Sequence, residues 1–410
     1  MSTASSWLPP VHESTLLGAA MAVPVAAGVV RSGVPIGHDL LRGSFCFDPF
    51  TQYAAGELSN PNMVVLGQIG RGKSAFLKSF LLRNAAWGRA AFVVDPKGEY
   101  GPLAAALGVT PVALRPGGTI RLNPLGAGTT PEVLTANGTL VAALTESTLR
   151  RRLSPRERTA VDLAVATAAR GSTPLLSNVV EALLIPSPAA AASLATTTRQ
   201  LTEDGRDVAL ELRRMCTGDL AGMFDAPTTD GLSLDGPMVV LDLSGLLHSD
   251  GVGLLVTCAL AWLGHQLVRP GPRLQRYVVL DEAWSILGDA AVSRWFQGSW
   301  KLARARGVAN ICVLHRLADV DTLGAEGPAA KALAAGLVAD SETWVIFGQS
   351  HDDASHTARA LGLSGVEERI LQRVAKGTAL WRIGGMSHLV RHQLTPVELA
   401  LANTDAAMVR

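Results

Sequence analysis

Gly67-Gln68-Ile69-Gly70-Arg71-Gly72-Lys73-Ser74 fits the spacing GxxxxGK[ST]. Glycines at such positions let backbone N–H groups turn inward around phosphate oxygens. A helix opening near Lys73 adds the positive end of its dipole. Lys73 would reach the β- and γ-phosphates of ATP, and the Ser74 hydroxyl would hold Mg2+. The nucleotide-lining run is then Gly67, Gln68, Ile69, Gly70, Arg71, Gly72, Lys73, Ser74 and Ala75. In a chain with 41 glycines among 410 residues and few lysines, a chance match is on the order of one in a hundred.

Such a loop needs a carboxylate at the end of another strand to orient the metal. Asp95, Asp242 and Asp281 each close an apolar run. Asp281 fits best, because Tyr277-Val278-Val279-Leu280-Asp281-Glu282 supplies a second acid at once. Asp281 would bind Mg2+ and Glu282 would polarise the attacking water. Asp242 has no following acid and reads as structural. Asp95 opens Asp95-Pro96-Lys97-Gly98-Glu99-Tyr100 after the strand expected beside the loop's strand. That turn reads either as surface or as a second polar wall for the nucleotide.

Arg304 and Arg306 precede the strand after that of Asp281. Either could reach a γ-phosphate held by the next subunit, or simply decorate a helix C-terminus. His315-Arg316 ends the following strand, where a γ-phosphate sensor could sit, although a lone strand-end His is usually structural. His351, Asp352, Asp353 and His356 are metal-ligand types at helical spacing, yet a capped helix with acids in its first turn accounts for the two aspartates.

These residues need a scaffold. Met63 to Leu66, Ser74 to Ala86 and Ala91 to Val94 read as strand, helix, strand, a parallel βαβ unit. Helix starts recur afterwards at Thr130-Pro131-Glu132, Ser154-Pro155-Arg156-Glu157, Thr173-Pro174 and Ser187-Pro188, the second a capping box. Gly171 closes the capping-box helix. Arg150, Arg151 and Arg152 before it read as a solvated loop or a subunit contact. Strands return at Met238 to Leu241, Tyr277 to Leu280, Asn310 to Leu314, Trp344 to Phe347 and Ala379 to Ile383, with a helix over Gly251 to Val268. The expected organisation is an N-terminal extension and leading core segment (1–60), a P-loop NTPase core (61–128 and 237–410) and an all-α insertion (129–236).

Composition narrows the class. Apolar residues at 48% and charged residues at 17% exclude a disordered chain. A net charge of +1 gives the average surface no footprint for nucleic acid; a local basic channel, or one between subunits, stays open. Of the 36 basic residues 6 are Lys, none before Lys73, so each retained ammonium is of interest. Cys46, Cys216, Cys258 and Cys312 are too sparse for a disulfide framework or zinc site and imply a reducing cytoplasm. Leu16 to Val30 is uncharged but interrupted by Pro24. A spanning helix needs ~20 apolar residues and a signal peptide a basic start, so a buried segment is expected, with a membrane-touching piece as the alternative.

Asn60-Pro61-Asn62-Met63 to Ser74, DPKGEY at 95–100, Arg121-Leu122-Asn123-Pro124-Leu125 and VVLDEAW at 278–284 together resemble the VirB-type ATPases of conjugation and type IV secretion, within the FtsK–HerA group of P-loop motors. The resemblance runs from about Pro35 to the C-terminus. It implies a RecA-like core, ATP and Mg2+, a ring of six subunits, and hydrolysis coupled to assembly or to DNA or protein transfer at a membrane channel. It implies a cytoplasmic protein held at the inner face of the membrane by partners. It places the family's arginine motif on Arg304 and Arg306. Family members commonly carry Gln near His315, and this chain has His-Arg there. Many have a long N-terminal docking domain, whereas about 34 residues precede the matching part here; docking is expected to use another surface or protein. Two other functions compete: a motor pumping duplex DNA, and a switch that binds ATP with negligible turnover. Glu282 argues against the switch.

Overall fold

A computed structural model of the chain describes residues 32–232, 234–246, 252–267, 274–282, 304–318 and 340–402, with 298, 300, 301 and 336. Leu16 to Val30 lies outside the described residues. The chain runs β1 (Val34–Asp39), β2 (Gly43–Phe47), α1 (Pro49–Ala54), β3 (Met63–Leu66), α2 (Lys73–Ala86), β4 (Ala90–Asp95), α3 (Gly101–Ala106) and β5 (Val112–Ala113). The helices α4 (Pro131–Leu149), α5 (Pro155–Ala168), α6 (Leu176–Leu184), α7 (Pro188–Ser193) and α8 (Thr198–Thr217) follow. Then come β6 (Met238–Asp242), α9 (Val252–Leu267), β7 (Arg276–Leu280), β8 (Val308–Leu314) and β9 (Thr343–Phe347). The last elements are α10 (His351–Leu361), α11 (Gly365–Arg373), β10 (Thr378–Ile383), β11 (Met386–His392) and α12 (Pro396–Ala402).

The described strands form one sheet in the order β2-β1-β11-β10-β9-β3-β8-β7-β4-β6-β5. From β9 to β5 the strands are parallel; β10, β11, β1 and β2 extend the sheet as an antiparallel wing. The βαβ expectation holds for the element types but needs correcting for neighbours. β8 and β7, made much later in the chain, lie between β3 and β4, so the DPKGEY strand does not flank the loop's strand.

Burial on both faces explains the unbroken apolar runs. Val64, Leu66, Phe92 and Val94 point into one core, and Met63, Val65, Ala91 and Val93 into the other. The first core is shared with Leu140 of α4, Val161 of α5, Val179 of α6, Val208 of α8 and Trp262 of α9. Thr130 caps α4, the Ser154–Glu157 capping box opens α5, and Ser187 caps α7. Thr173-Pro174 does not begin a helix. The Pro174 carbonyl instead accepts Asn123 Nδ2 at 2.9 Å, and α6 starts at Leu176, with Asn178 Oδ1 accepting the Leu175 N–H at 3.0 Å. Arg151 of the arginine triplet pairs with Glu157 at 2.7 Å.

The second core holds α2 and the wing together. Trp381 of β10 is fully buried, with ring centroids 5.1 Å from Phe45, 5.2 Å from Phe47 and 5.4 Å from Phe76. Its Nε1 donates to His392 Nε2 at 2.9 Å. Asp48, buried at the end of β2, accepts the Phe50 N–H at 3.1 Å and the Tyr277 hydroxyl at 3.0 Å and pairs with Arg89. Thus the wing is fastened to β7 and to α2. Among the described residues, no helix is long and apolar enough to cross a membrane.

Trp381 therefore joins three elements, and Trp381→Ala leaves a cavity where they meet. Such a truncation costs about 3–5 kcal/mol. Urea unfolding should show a midpoint lowered accordingly; a loss below about 1 kcal/mol would mean the wing does not rest on this contact.

Candidate active site

The parallel register brings six strand ends to one edge of the sheet. Leu66 lies opposite Leu314 and Ile346, Cys312 opposite Leu280, Leu280 opposite Val94, and Asp95 opposite Asp242. The next residues are Gly67 after β3, His315 after β8 and Asp281 after β7, while Asp95 and Asp242 close β4 and β6. Carboxyl ends of parallel strands are where ligands bind in open α/β sheets.

The loop after β3 folds as the spacing requires. Gly67 has φ 147°, and a Cβ there would stand 2.6 Å from the Phe347 Cβ. Gly72 (φ 109°) precedes α2 and has no side chain to cap it, which leaves the first-turn amides to another acceptor such as an anion. Two backbone bonds pin the loop: Gln68 N–H to the Gly348 carbonyl at 3.1 Å, and Gly377 N–H to the Arg71 carbonyl at 3.0 Å. Ile69 and Gly70 are exposed at the tip; Gln68, Arg71, Ser74 and Ala75 are half-buried. The buried Lys73 ammonium donates to the carbonyls of Gly67 and, at 3.0 Å, Gln68, and lies 3.2 Å from His315 Nδ1. Burial lowers its pKa to about 8, against the opposing charges of Glu282 and Asp281.

Asp281 and Glu282 are adjacent and nearly dry, with 9% and 7% exposure. One Asp281 oxygen accepts the Tyr100 hydroxyl and the other the Glu282 N–H, both at 3.0 Å. Burial, then the charge of Glu282, pushes the Asp281 pKa up to about 6. Glu282 sits in the left-handed region, φ 53°, at a cost of order 1–3 kcal/mol for a non-glycine residue. Its carboxylate takes His315 Nε2 at 2.8 Å and the Lys97 ammonium. A neutral His315 with hydrogen on Nε2 satisfies both contacts: it donates to Glu282 and accepts from Lys73.

The DPKGEY turn reaches the same place. Asp95 accepts the N–H groups of Gly98 and Tyr100, each at 2.9 Å. Burial raises its pKa despite those bonds. The turn is thereby held with Lys97 on Glu282 and Tyr100 on Asp281. Burial works against the charge of Lys97, but the hydrogen bond and charge of Glu282 outweigh it and raise its pKa. Lys78, 2% exposed on α2, sits 5.5 Å from the Tyr100 ring centroid. The DPKGEY turn reads in the sequence as surface or as a second polar wall, but the pairing of Lys97 and Tyr100 with the two acids was not expected, and Lys78 was not singled out. Asp242 accepts the Ser244 N–H at 2.9 Å, a local bond that fits its structural reading.

Arg304 and Arg306 form a 3-10 turn just before β8, at the opposite sheet edge from Lys73. Seven residues of β8 separate those edges by roughly 20 Å. Arg306 is half-buried beside α9, where a Cβ on Gly264 would stand 3.2 Å from its Nη1. Burial lowers its pKa. At 351–356, Ser350 caps α10 by accepting the Asp353 N–H at 3.3 Å, which is the capped-helix reading. Among the described residues, no group of three His, Cys, Asp or Glu could hold a metal ion. Mg2+ coordinated mainly by phosphates and water needs less from the protein, and the hard oxygens of Ser74 and Asp281 suit it.

No family model and no curated protein matches the chain. Solved structures do. VirB4 of Thermoanaerobacter pseudethanolicus is similar over 90% of this chain and 98% of that one, with TM-score 0.72 and 20% identity. The bacterial conjugative coupling protein TrwBdeltaN70 in complex with sulphate is similar over 82% and 85%, with TM-score 0.60 and 14% identity. Plasmid coupling protein TrwB with the ATP analogue ADPNP covers the same shares, with TM-score 0.60 and 15% identity. Together with the sheet order, these likenesses establish the α/β P-loop NTPase fold.

The raised Asp281 pKa has a consequence for stability. A carboxyl whose pKa rises from 3.8 unfolded to about 6 folded favours folding while protonated and loses that contribution as pH rises through about 6. A shift of about two units corresponds to about 3 kcal/mol. With no nucleotide present, the stability of Asp281→Asn relative to wild type should therefore improve by up to that amount between pH 4 and 7. Denaturation at several pH values checks it; a pH-independent difference would contradict the burial of this charge.

Proposed function

We propose that the chain is an ATP-hydrolysing motor subunit of the VirB type, working in conjugation or type IV secretion. The observation that carries the reading is the convergence of Lys73, Asp281 and Glu282 on an uncapped helix start at the carboxyl edge of the sheet. The open amides of α2 would cradle the β-phosphate, and Lys73 would leave its loop carbonyls for the phosphates. Glu282 would take the proton of the attacking water, with His315 and Lys97 holding its carboxylate. When bound at Ser74 and Asp281, Mg2+ would supply neutralising charge to the phosphates. TrwB has been solved with ADP and Mg2+, which supports the same ligands here.

The site is incomplete in one subunit. Arg304 and Arg306 lie on the far edge of the sheet from Lys73. A ring, six-membered by resemblance, brings the edge of one copy to the site of the next, where one of them would serve as finger. The ring would act at the inner face of the membrane through channel partners, with DNA or protein as cargo.

Three measurements check this. Lys73→Ala should reduce phosphate release to background; unchanged turnover would rule the site out. Glu282→Gln should bind ATP nearly as wild type yet release no phosphate. Mixing Glu282→Gln with Arg304→Ala or Arg306→Ala subunits should restore part of the activity, since an intact site then meets an intact finger worth about 10³–10⁵ in rate. If rings form and no mixture recovers, the trans assignment fails.

A further inference from the structure

We infer that Lys97 is a second phosphate-binding lysine of this site, parked on Glu282 until a terminal phosphate draws it away. This rests on the nucleotide-hydrolysing reading above and adds a residue to it.

The placement comes first. Lys97 and Glu282 are 185 residues apart, yet their side chains form an ion pair. The lysine side chain is 40% exposed and the glutamate 8%, so the ammonium reaches the acid from the open side of the site. Asp95 fixes the turn beneath it by accepting Gly98 N–H and Tyr100 N–H, and the Tyr100 hydroxyl fastens the turn to Asp281. The base of the stem is thus held while four carbons of flexible chain carry the charge. Glu282 in turn touches His315, which touches Lys73. Lys97 therefore stands one acid and one imidazole from the lysine that grips the β- and γ-phosphates.

Charge decides what happens next. Lys73 is already satisfied by two loop carbonyls and His315. Lys97 instead pairs directly with Glu282. A γ-phosphate carries more charge and more acceptor oxygens than one carboxylate, so it takes the ammonium over. Glu282 then loses a cation that makes it a poorer base, at the moment the phosphate to be attacked is in place. A diphosphate lacks the group that does this, and Lys97 stays on Glu282.

The inference separates triphosphate from diphosphate. Fluorescent mant-ATP and mant-ADP binding, with Mg2+ and in the inactive Glu282→Gln background as well as alone, reads it directly. Lys97→Gln should weaken mant-ATP about tenfold, as for loss of a charge-assisted hydrogen bond, and leave mant-ADP unchanged; Lys97→Arg should recover most of the difference. Because the side chain is half in solvent, Lys97→Gln opens no cavity. Equal weakening of both nucleotides, or of neither, overturns the assignment. Lys73→Ala run in parallel separates the two levels: if it too leaves both nucleotides and turnover untouched, the nucleotide site itself is wrong, whereas its loss beside an indifferent Lys97→Gln refutes Lys97 alone.

Discussion

Two neighbouring carboxylates almost without water set the terms for this molecule. Burying one charge is costly and burying two adjacent like charges more so, unless each finds donors. Asp281 and Glu282 find them on three other strand ends: Tyr100 and Lys97 beyond β4, His315 beyond β8, and through His315 the Lys73 of the loop beyond β3. None of these partners is near the acids in sequence. Only a parallel register that stops β3, β4, β7 and β8 at the same level can deliver them, and the interleaved order β3-β8-β7-β4 places the acids between the loop and the turn that neutralises them.

Part of the candidate site was legible where residue types recur at fixed spacing. The glycine loop from Gly67 to Ser74 and the adjacent Asp281-Glu282 stood out in the sequence, and the structure brings both to one edge of the sheet. The parallel strands were legible because burial on both faces leaves a plain apolar run. The DPKGEY turn was noticed, but the acids that Lys97 and Tyr100 hold were not, since those partners lie 185 and 181 residues away and one sequence carries no sign of that pairing. The scarcity of lysine was a real signal all the same: Lys73, Lys78 and Lys97 surround this site.

Of the antiparallel wing β10 was read at 379–383, but β1, β2 and β11 were invisible for a different reason. β1 contains Pro35, Gly37 and Asp39, residues that disfavour a strand. Gly37 is needed, because a Cβ would stand 2.1 Å from the Arg391 carbonyl oxygen, and the register slips between Pro35 and Gly37. β11 mixes His388, Arg391 and His392 into an apolar strand; His388 is affordable there because Asp39 accepts its Nδ1 at 2.9 Å. Local propensity argues against these strands, and contacts made across the whole chain overrule it.

That reach across the chain also bears on biosynthesis. β1 ends at Asp39 and its partner β11 begins at Met386, 347 residues later. At 5–20 residues per second, ribosomes take roughly 20–70 s to cover that interval. Throughout it β1 and β2 present an unpaired edge, the kind of surface that other chains extend. The nascent protein thus passes a long window in which these two strands need shelter, and holdase binding near the ribosome exit would fall on residues 34–47.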